Sequence, residues 1–149
     1  MREPKVDINY KPKKILMTCS DGRFIPAFNE LARQHGDLSP NAPASEFRIP
    51  GPSVSLTHNE TSEVNLKYIG ALMDFFGADT LALYDHIPCG WKKLMIDGYA
   101  DADDNQRISL HEREIKAAGE IISKTFPDLK FEPHLVGPDG HEISLPSAD

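Results

Sequence analysis

The chain is short of cysteine, short of basic side chains and without any long apolar run, and each shortage removes a class of protein. Among its 149 residues only Cys19 and Cys89 are cysteines. Two are too few for a disulfide-stapled scaffold, and in a reducing compartment they read as ligands or nucleophiles rather than a bridge. Lys and Arg number 16 against 23 Asp and Glu, a formal net charge of −7. Phosphate neutralisation needs a basic face, so nucleic acid is not an expected partner. No stretch of about 18 apolar residues occurs, so neither a transmembrane helix nor a membrane partner is expected. The opening MREPKVDINYKPKK has charges with no apolar stretch behind them, so a secretory leader is not expected and the cytoplasm is the expected location.

What is present is an ordinary globular mixture, 40% hydrophobic and 26% charged. It suits one domain over 1–149, with 1–12 as a polar arm broken by Pro4 and Pro12. Residues 13–18 (KKILMT) form a short apolar run fit for a buried strand. Ile25, Phe28, Leu31 and Ala32 recur at helical spacing within 24–35, with Gly36 placed to end that helix. The segment 37–45 (DLSPNAPAS) reads as a surface loop, and 46–49 as a second strand closed by Pro50, Gly51 and Pro52.

Val64, Tyr68, Leu72 and Phe75 or Phe76 give a long helix over about 60–76, stopped by Gly77, with Tyr68, Leu72 and Phe76 expected in the core. Residues 79–84 make a third strand. A further helix is expected over about 110–126, opened by a Ser109–Glu112 capping box, carrying Ile115, Ala118 and Ile122 on one face, and stopped by Pro127. A fourth strand over 130–136, a tight turn at 137–140 and a short strand near 142–145 complete the chain. Helices alternating with strands predict an α/β, Rossmann-like fold. Its mainly parallel central sheet has about four strands and an antiparallel edge strand, with helices on both faces.

Ligands of open parallel sheets bind beyond the carboxyl ends of the strands, and both cysteines lie there. Strand one delivers Cys19-Ser20-Asp21-Gly22-Arg23, and strand three delivers Asp85-His86-Ile87-Pro88-Cys89-Gly90. If these strands are neighbours, Cys19, His86 and Cys89 meet at one point. Two thiolates and one imidazole select zinc, one per chain, and leave a fourth position for water or substrate. Asp21 and Arg23 alternate with Cys19, so a persisting extended backbone would aim all three the same way. Asp21 would then accept a hydrogen bond from metal-activated water or fill the fourth position itself, with Arg23 keeping it ionised. Helix N-termini after both loops are expected to stabilise the thiolates.

The Cys19–Asp21–Arg23 triplet and the His86-x-x-Cys89-Gly90 motif resemble the signature of the β-class carbonic anhydrases, and 47–51 (FRIPG) is similar to that family's arginine and glycine stretch. The resemblance spans roughly 15–90. It implies zinc on Cys19, His86 and Cys89, Asp21 and Arg23 as a catalytic dyad, and Gly90 at the substrate. It further implies reversible hydration of carbon dioxide to bicarbonate and a homodimer or higher homo-oligomer. Gly22 replaces the family's usual Ser, and Trp91 replaces a small residue.

Rival readings are a hydrolase of carbonyl sulfide or carbon disulfide, a zinc module closed by Asp21 without turnover, and thiol chemistry. A phosphatase loop fails on geometry, since it needs about five residues between Cys and Arg whereas Cys19 and Arg23 enclose three. Asp101, Asp103, Asn105 and Glu112 have the spacing of a calcium loop, but Gln106 stands where its glycine belongs, so 101–108 reads as an acidic loop before a capped helix. His58, His111, His134 and His141 read as surface or packing residues unless one shuttles protons.

Overall fold

A computed structural model describes residues 5–146; the first four residues of the expected arm lie outside them. The elements in chain order are β1 (Lys14–Thr18), α1 (Ile25–Gln34), β2 (Ser45–Arg48), α2 (Pro52–Thr57), α3 (Asn59–Phe76), β3 (Thr80–His86), α4 (Gly90–Met95), α5 (Asp104–Thr125), β4 (Lys130–Val136) and β5 (Glu142–Ile143). The strands form one sheet in the order β2-β1-β3-β4-β5. The first three pairings are parallel and β5 is the antiparallel edge. This is the α/β architecture the sequence pattern predicts.

β3 is buried at every position, as a central strand covered on both faces must be. The period of two along the strands sorts the core into two layers. Leu16, Ala82 and Tyr84 face one layer with Phe28 and Ala32 of α1. Ile15, Met17, Leu81 and Leu83 face the other with Ile69 of α3 and Ala118 and Ile122 of α5. Helices therefore cover both faces. Because α1 follows β1 on one face while α3 and α5 lie on the other, the winding direction changes between β1 and β3. That change of direction opens the crevice where α/β sheets place their sites.

The helix over 59–76 ends as expected, with Gly77 left-handed at φ +65° and its N–H donating 2.8 Å to Met73 O. Its outer stripe differs from expectation. Tyr68 is 60% exposed and Phe75 71%, because Ile69, Leu66, Leu72 and Met73 supply the buried face and the helical phase turns Tyr68 outward. The short helix α2 falls where only a loop was expected, since six residues are too few for periodicity to register, whereas α4 is the helix expected after the Cys89 loop.

The last helix starts six residues earlier than the pattern suggested. Asp103, not Ser109, is its N-cap: the carboxylate accepts from Gln106 N at 2.8 Å while Gln106 Oε1 accepts from Asp103 N at 2.9 Å. The capping box is real but made by Asp and Gln. The same finding removes the calcium-loop spacing, since Asn105 and Glu112 are helical rather than part of a loop. Among the described residues no helix is long and apolar enough to cross a membrane.

Asp103→Ala should cost about 1 kcal/mol in urea unfolding, whereas Ser109→Ala, at an exposed mid-helix position, should change stability by less than about 0.5 kcal/mol. The reverse ranking would return the helix start to Ser109.

Candidate metal centre

Parallel pairing sets Thr18 beside Tyr84, so β1 and β3 run out of the sheet at one level and deliver Cys19 and His86 side by side. The chain after His86 turns back through Pro88 to Cys89, the N-cap of α4. The ligand atoms of Cys19, His86 and Cys89 all lie within 4.8 Å of one another. All three residues are buried, at 4%, 1% and 1% exposure.

Both ring nitrogens of His86 are buried without a hydrogen-bond partner. A buried polar atom left unpaired is costly, and a metal ion is the partner that a neighbouring pair of thiols would share with it. The ring is fixed by Phe24, 4.1 Å away between centroids, and by Phe28 at 5.9 Å. The donor chemistry, two sulfurs and one imidazole, fits zinc.

The two thiols divide one negative charge. The neighbouring Cys89 thiol first, then the nearby His86 ring and the backbone N–H groups of Gly51 and Asp21, push Cys19 well below the ordinary thiol range against the desolvation of burial. Cys89, hydrogen-bonded to that thiolate and buried beside it, is pushed up. A second thiolate therefore needs a cation in the cluster. The donors to Cys19 differ from those expected. They come from Asp21 in its own loop and from Gly51 at the start of α2, not from α1, which begins six residues downstream.

Gly51 is left-handed at φ +52°, and a Cβ there would meet Trp91 Cδ1 at 2.8 Å. Only glycine satisfies both the turn and the contact. Trp91 thus packs over the loop that faces Cys19. Around it, Arg48 donates to Thr18 Oγ1 at 2.9 Å and to Asn29 Oδ1 at 2.9 Å, joining the end of β2 to β1 and α1.

The extended backbone expected beyond Cys19 is replaced by a turn, with Phe24 N donating to Asp21 O at 3.0 Å. Asp21 and Arg23 nevertheless pair: Nη2 reaches Oδ2 at 2.7 Å and Nε reaches Oδ1 at 3.0 Å. Those contacts, the Arg23 side chain first, hold the Asp21 carboxyl down to about 2. Asp21 Oδ2 is 4.0 Å from His86 Nε2, beside the three donors and not within their cluster. Gly90 starts α4 with open space where a side chain would go, as does Gly22. A cleft of about 400 Å³, lined by Arg23, Phe24, Ala27, Pro88 and 138–140, opens beside these residues.

Sequence reasoning missed a buried polar network behind the cluster. Asp85 is the residue before His86 and, by the alternation of β3, faces the opposite layer. Lys92 Nζ donates to Asp85 Oδ2 at 2.6 Å, to Ser53 Oγ at 2.6 Å and to His111 Nδ1 at 2.7 Å. Ser53 Oγ in turn donates to Asp85. With Nδ1 accepting, His111 Nε2–H donates to the Tyr99 hydroxyl at 2.7 Å, which also accepts from Cys89 N at 3.1 Å. None of these side chains exceeds 1% exposure. Burial alone would raise the Asp85 carboxyl, but the Lys92 charge outweighs it and holds it far down. Nothing in WKKLM separates Lys92 from Lys93 before the helix is folded.

Burial, then the Lys92 charge, lowers His111 to about 4, so it is neutral in the fold. Its ordinary value is near 6.5. As pH falls from about 6.5 towards 4 the unfolded chain takes up a proton that the folded chain refuses, and stability present above that window is lost within it. The shift corresponds to about 3 kcal/mol. Urea midpoints measured across this range should fall steeply for the native chain and less for His111→Gln; equal slopes would remove His111 as the cause.

No family model matches the chain. An uncharacterized protein of Rickettsia conorii is 26% identical over 129 residues, covering 85% of this chain and 68% of that protein. One of Rickettsia bellii is 28% identical over 137 residues, covering 85% and 77%. Among solved structures, the β-carbonic anhydrase CafA of Aspergillus fumigatus superposes with a TM-score of 0.56 at 12% identity, covering 94% of this chain and 78% of that one. A Sordaria macrospora protein described as a tetrameric β-carbonic anhydrase gives 0.60 at 13%, covering 93% and 82%. The β-carbonic anhydrase CcaA gives 0.56 at 15%, covering 93% and 80%. Sheet order, crevice and backbone superposition agree: this chain has the fold of the β-class carbonic anhydrases in a sequence-divergent form.

Proposed function

We propose that the chain is a zinc-dependent carbonic anhydrase that interconverts carbon dioxide and bicarbonate. The observation that carries this reading is the convergence of Cys19, Cys89 and the unpartnered His86 at the β1/β3 crevice, with the Asp21–Arg23 pair at its edge. Cys19, His86 and Cys89 would hold one zinc ion per chain. When bound there, zinc acidifies water and supplies a nucleophile near neutral pH. Two thiolates cancel the charge of the ion, so that acidification is weaker than beside three neutral histidines and turnover should rise with pH.

Asp21 supplies an ionised carboxylate that orients the attacking water by accepting its hydrogen bond. Both Asp21 oxygens are engaged by Arg23 rather than gathered with the three donors, which favours an open fourth position. Gly90 leaves room for substrate above Cys89, and the cleft beside Arg23, Phe24 and Pro88 offers the way in. The burial of all three donors favours a second reading, a zinc module that stabilises the fold without turnover. We further propose a cytoplasmic homo-oligomer, its assembly suggested by analogy with the Sordaria protein described as tetrameric; light scattering should give at least a dimer, and a fully active monomer would contradict it.

Carbon dioxide hydration followed by stopped flow on protein of known zinc content tests the main reading. The native chain should hold one zinc at this cluster, with turnover rising from about pH 6.5 to 9. Cys89→Ser should lose that zinc. Asp21→Asn should keep it and lose about 100-fold in turnover. Zinc without carbon dioxide turnover would transfer the proposal to carbonyl sulfide or carbon disulfide, assayed on the same sample, and inactivity on all three substrates would favour the closed module.

A further inference from the structure

A second set of metal-ligating side chains converges from three separate segments. His35 caps the end of α1, His134 lies in β4 opposite Tyr84, and Glu142 opens β5. Their ligand atoms lie within 4.8 Å of one another. His35 Nε2 is 2.8 Å from Glu142 Oε2, and His134 Nδ1 contacts Glu142 Oε1. The two imidazoles lie 4.3 Å apart between centroids, so two bases crowd onto one carboxylate.

The other nitrogen of His134, Nε2, is buried without a hydrogen-bond partner and sits 3.9 Å from Asp37 Oδ2. Asp37 is only 1% exposed. Lys14 Nζ at 3.1 Å and the Tyr84 hydroxyl at 3.0 Å hold it in place. The Tyr84 ring stacks on His134 at 4.5 Å and fixes the ring plane.

We infer that His35, His134 and Glu142 form a second divalent-metal site, separate from the Cys19–His86–Cys89 cluster. Two imidazoles and one carboxylate are a donor set that zinc accepts with water completing four-coordination. Two nitrogens of three donors disfavour calcium and magnesium, which take oxygen. A carboxylate hydrogen-bonded to the outer nitrogen of a ligating histidine sets its tautomer and orientation, and Asp37 lies on that side of His134, 3.9 Å from Nε2, where a small shift of the ring would complete the bond. The way in is open, since the His35 and Glu142 side chains are 37% and 29% exposed. An ion held here ties the end of α1 to β4 and β5, the two strands that flank the hairpin turn at 137–140. The site thereby braces one wall of the cleft beside Arg23.

The test uses the Cys19→Ser/Cys89→Ser chain, so that it does not depend on the first cluster. Dialysed against micromolar free Zn²⁺ at neutral pH, this chain should retain one equivalent by atomic emission. That equivalent should vanish when His35→Ala or Glu142→Ala is added, both at the surface and both checked for folding by circular dichroism. No retained zinc in the double-serine chain overturns the site, and so does zinc that survives both added substitutions. If the double-serine chain does not fold, the native chain titrated with Co²⁺ decides. A spectral component without sulfur charge transfer, lost in His35→Ala, supports the site, and its absence overturns it.

Discussion

The parallel pairing of β1 with β3 is the constraint on which the rest of the molecule depends. Cys19 and His86 are 67 positions apart in sequence, the difference of their numbers, and no local preference brings them together. The register that opposes Thr18 to Tyr84 does. Since α1 leaves on one face and α3 and α5 cover the other, no helix closes the gap between those two strand ends. The site lies where the winding direction changes, and everything that shapes it, from Gly51 to Trp91, is packed around that opening.

Behind the donors the chain accepts an expensive arrangement. An ion pair between Asp85 and Lys92, with His111 and Ser53, sits wholly inside the fold. Replacing such a group by apolar residues is often neutral or stabilising, whereas removing one partner costs about 3–5 kcal/mol. Its value here is positional. Through His111 and Tyr99 the network reaches the Cys89 backbone N–H, so α2, α5 and the Cys89 loop are locked in one relative placement. Phe24 and Phe28 restrain the His86 ring from the opposite layer. The three donors are thus held from both sides of the sheet, the preorganisation that a metal centre needs.

Much of this was legible beforehand. The strands announced themselves as short apolar runs, and Gly77 and the 137–140 turn marked their own positions by backbone requirement. The triplet after β1 and the motif after β3 named the first cluster because their residues are close in sequence and their chemistry is unusual. Tyr68 misled because an aromatic at helical spacing reads the same on either face of a helix. Ser109 misled because a capping signature is common and Asp103–Gln106, six residues upstream of it, is an equally good one.

The sequence by itself determined the alternation of helices and strands, the acidic character and the composition of the Cys–His–Cys donor set, because these rest on local periodicity, charge count and side-chain chemistry. Only the tertiary structure decided which lysine is buried, which aromatics face solvent, and that His35, His134 and Glu142 meet. Those outcomes depend on contacts between segments distant in sequence, where strand register and helical phase set the neighbours and no local signal records them.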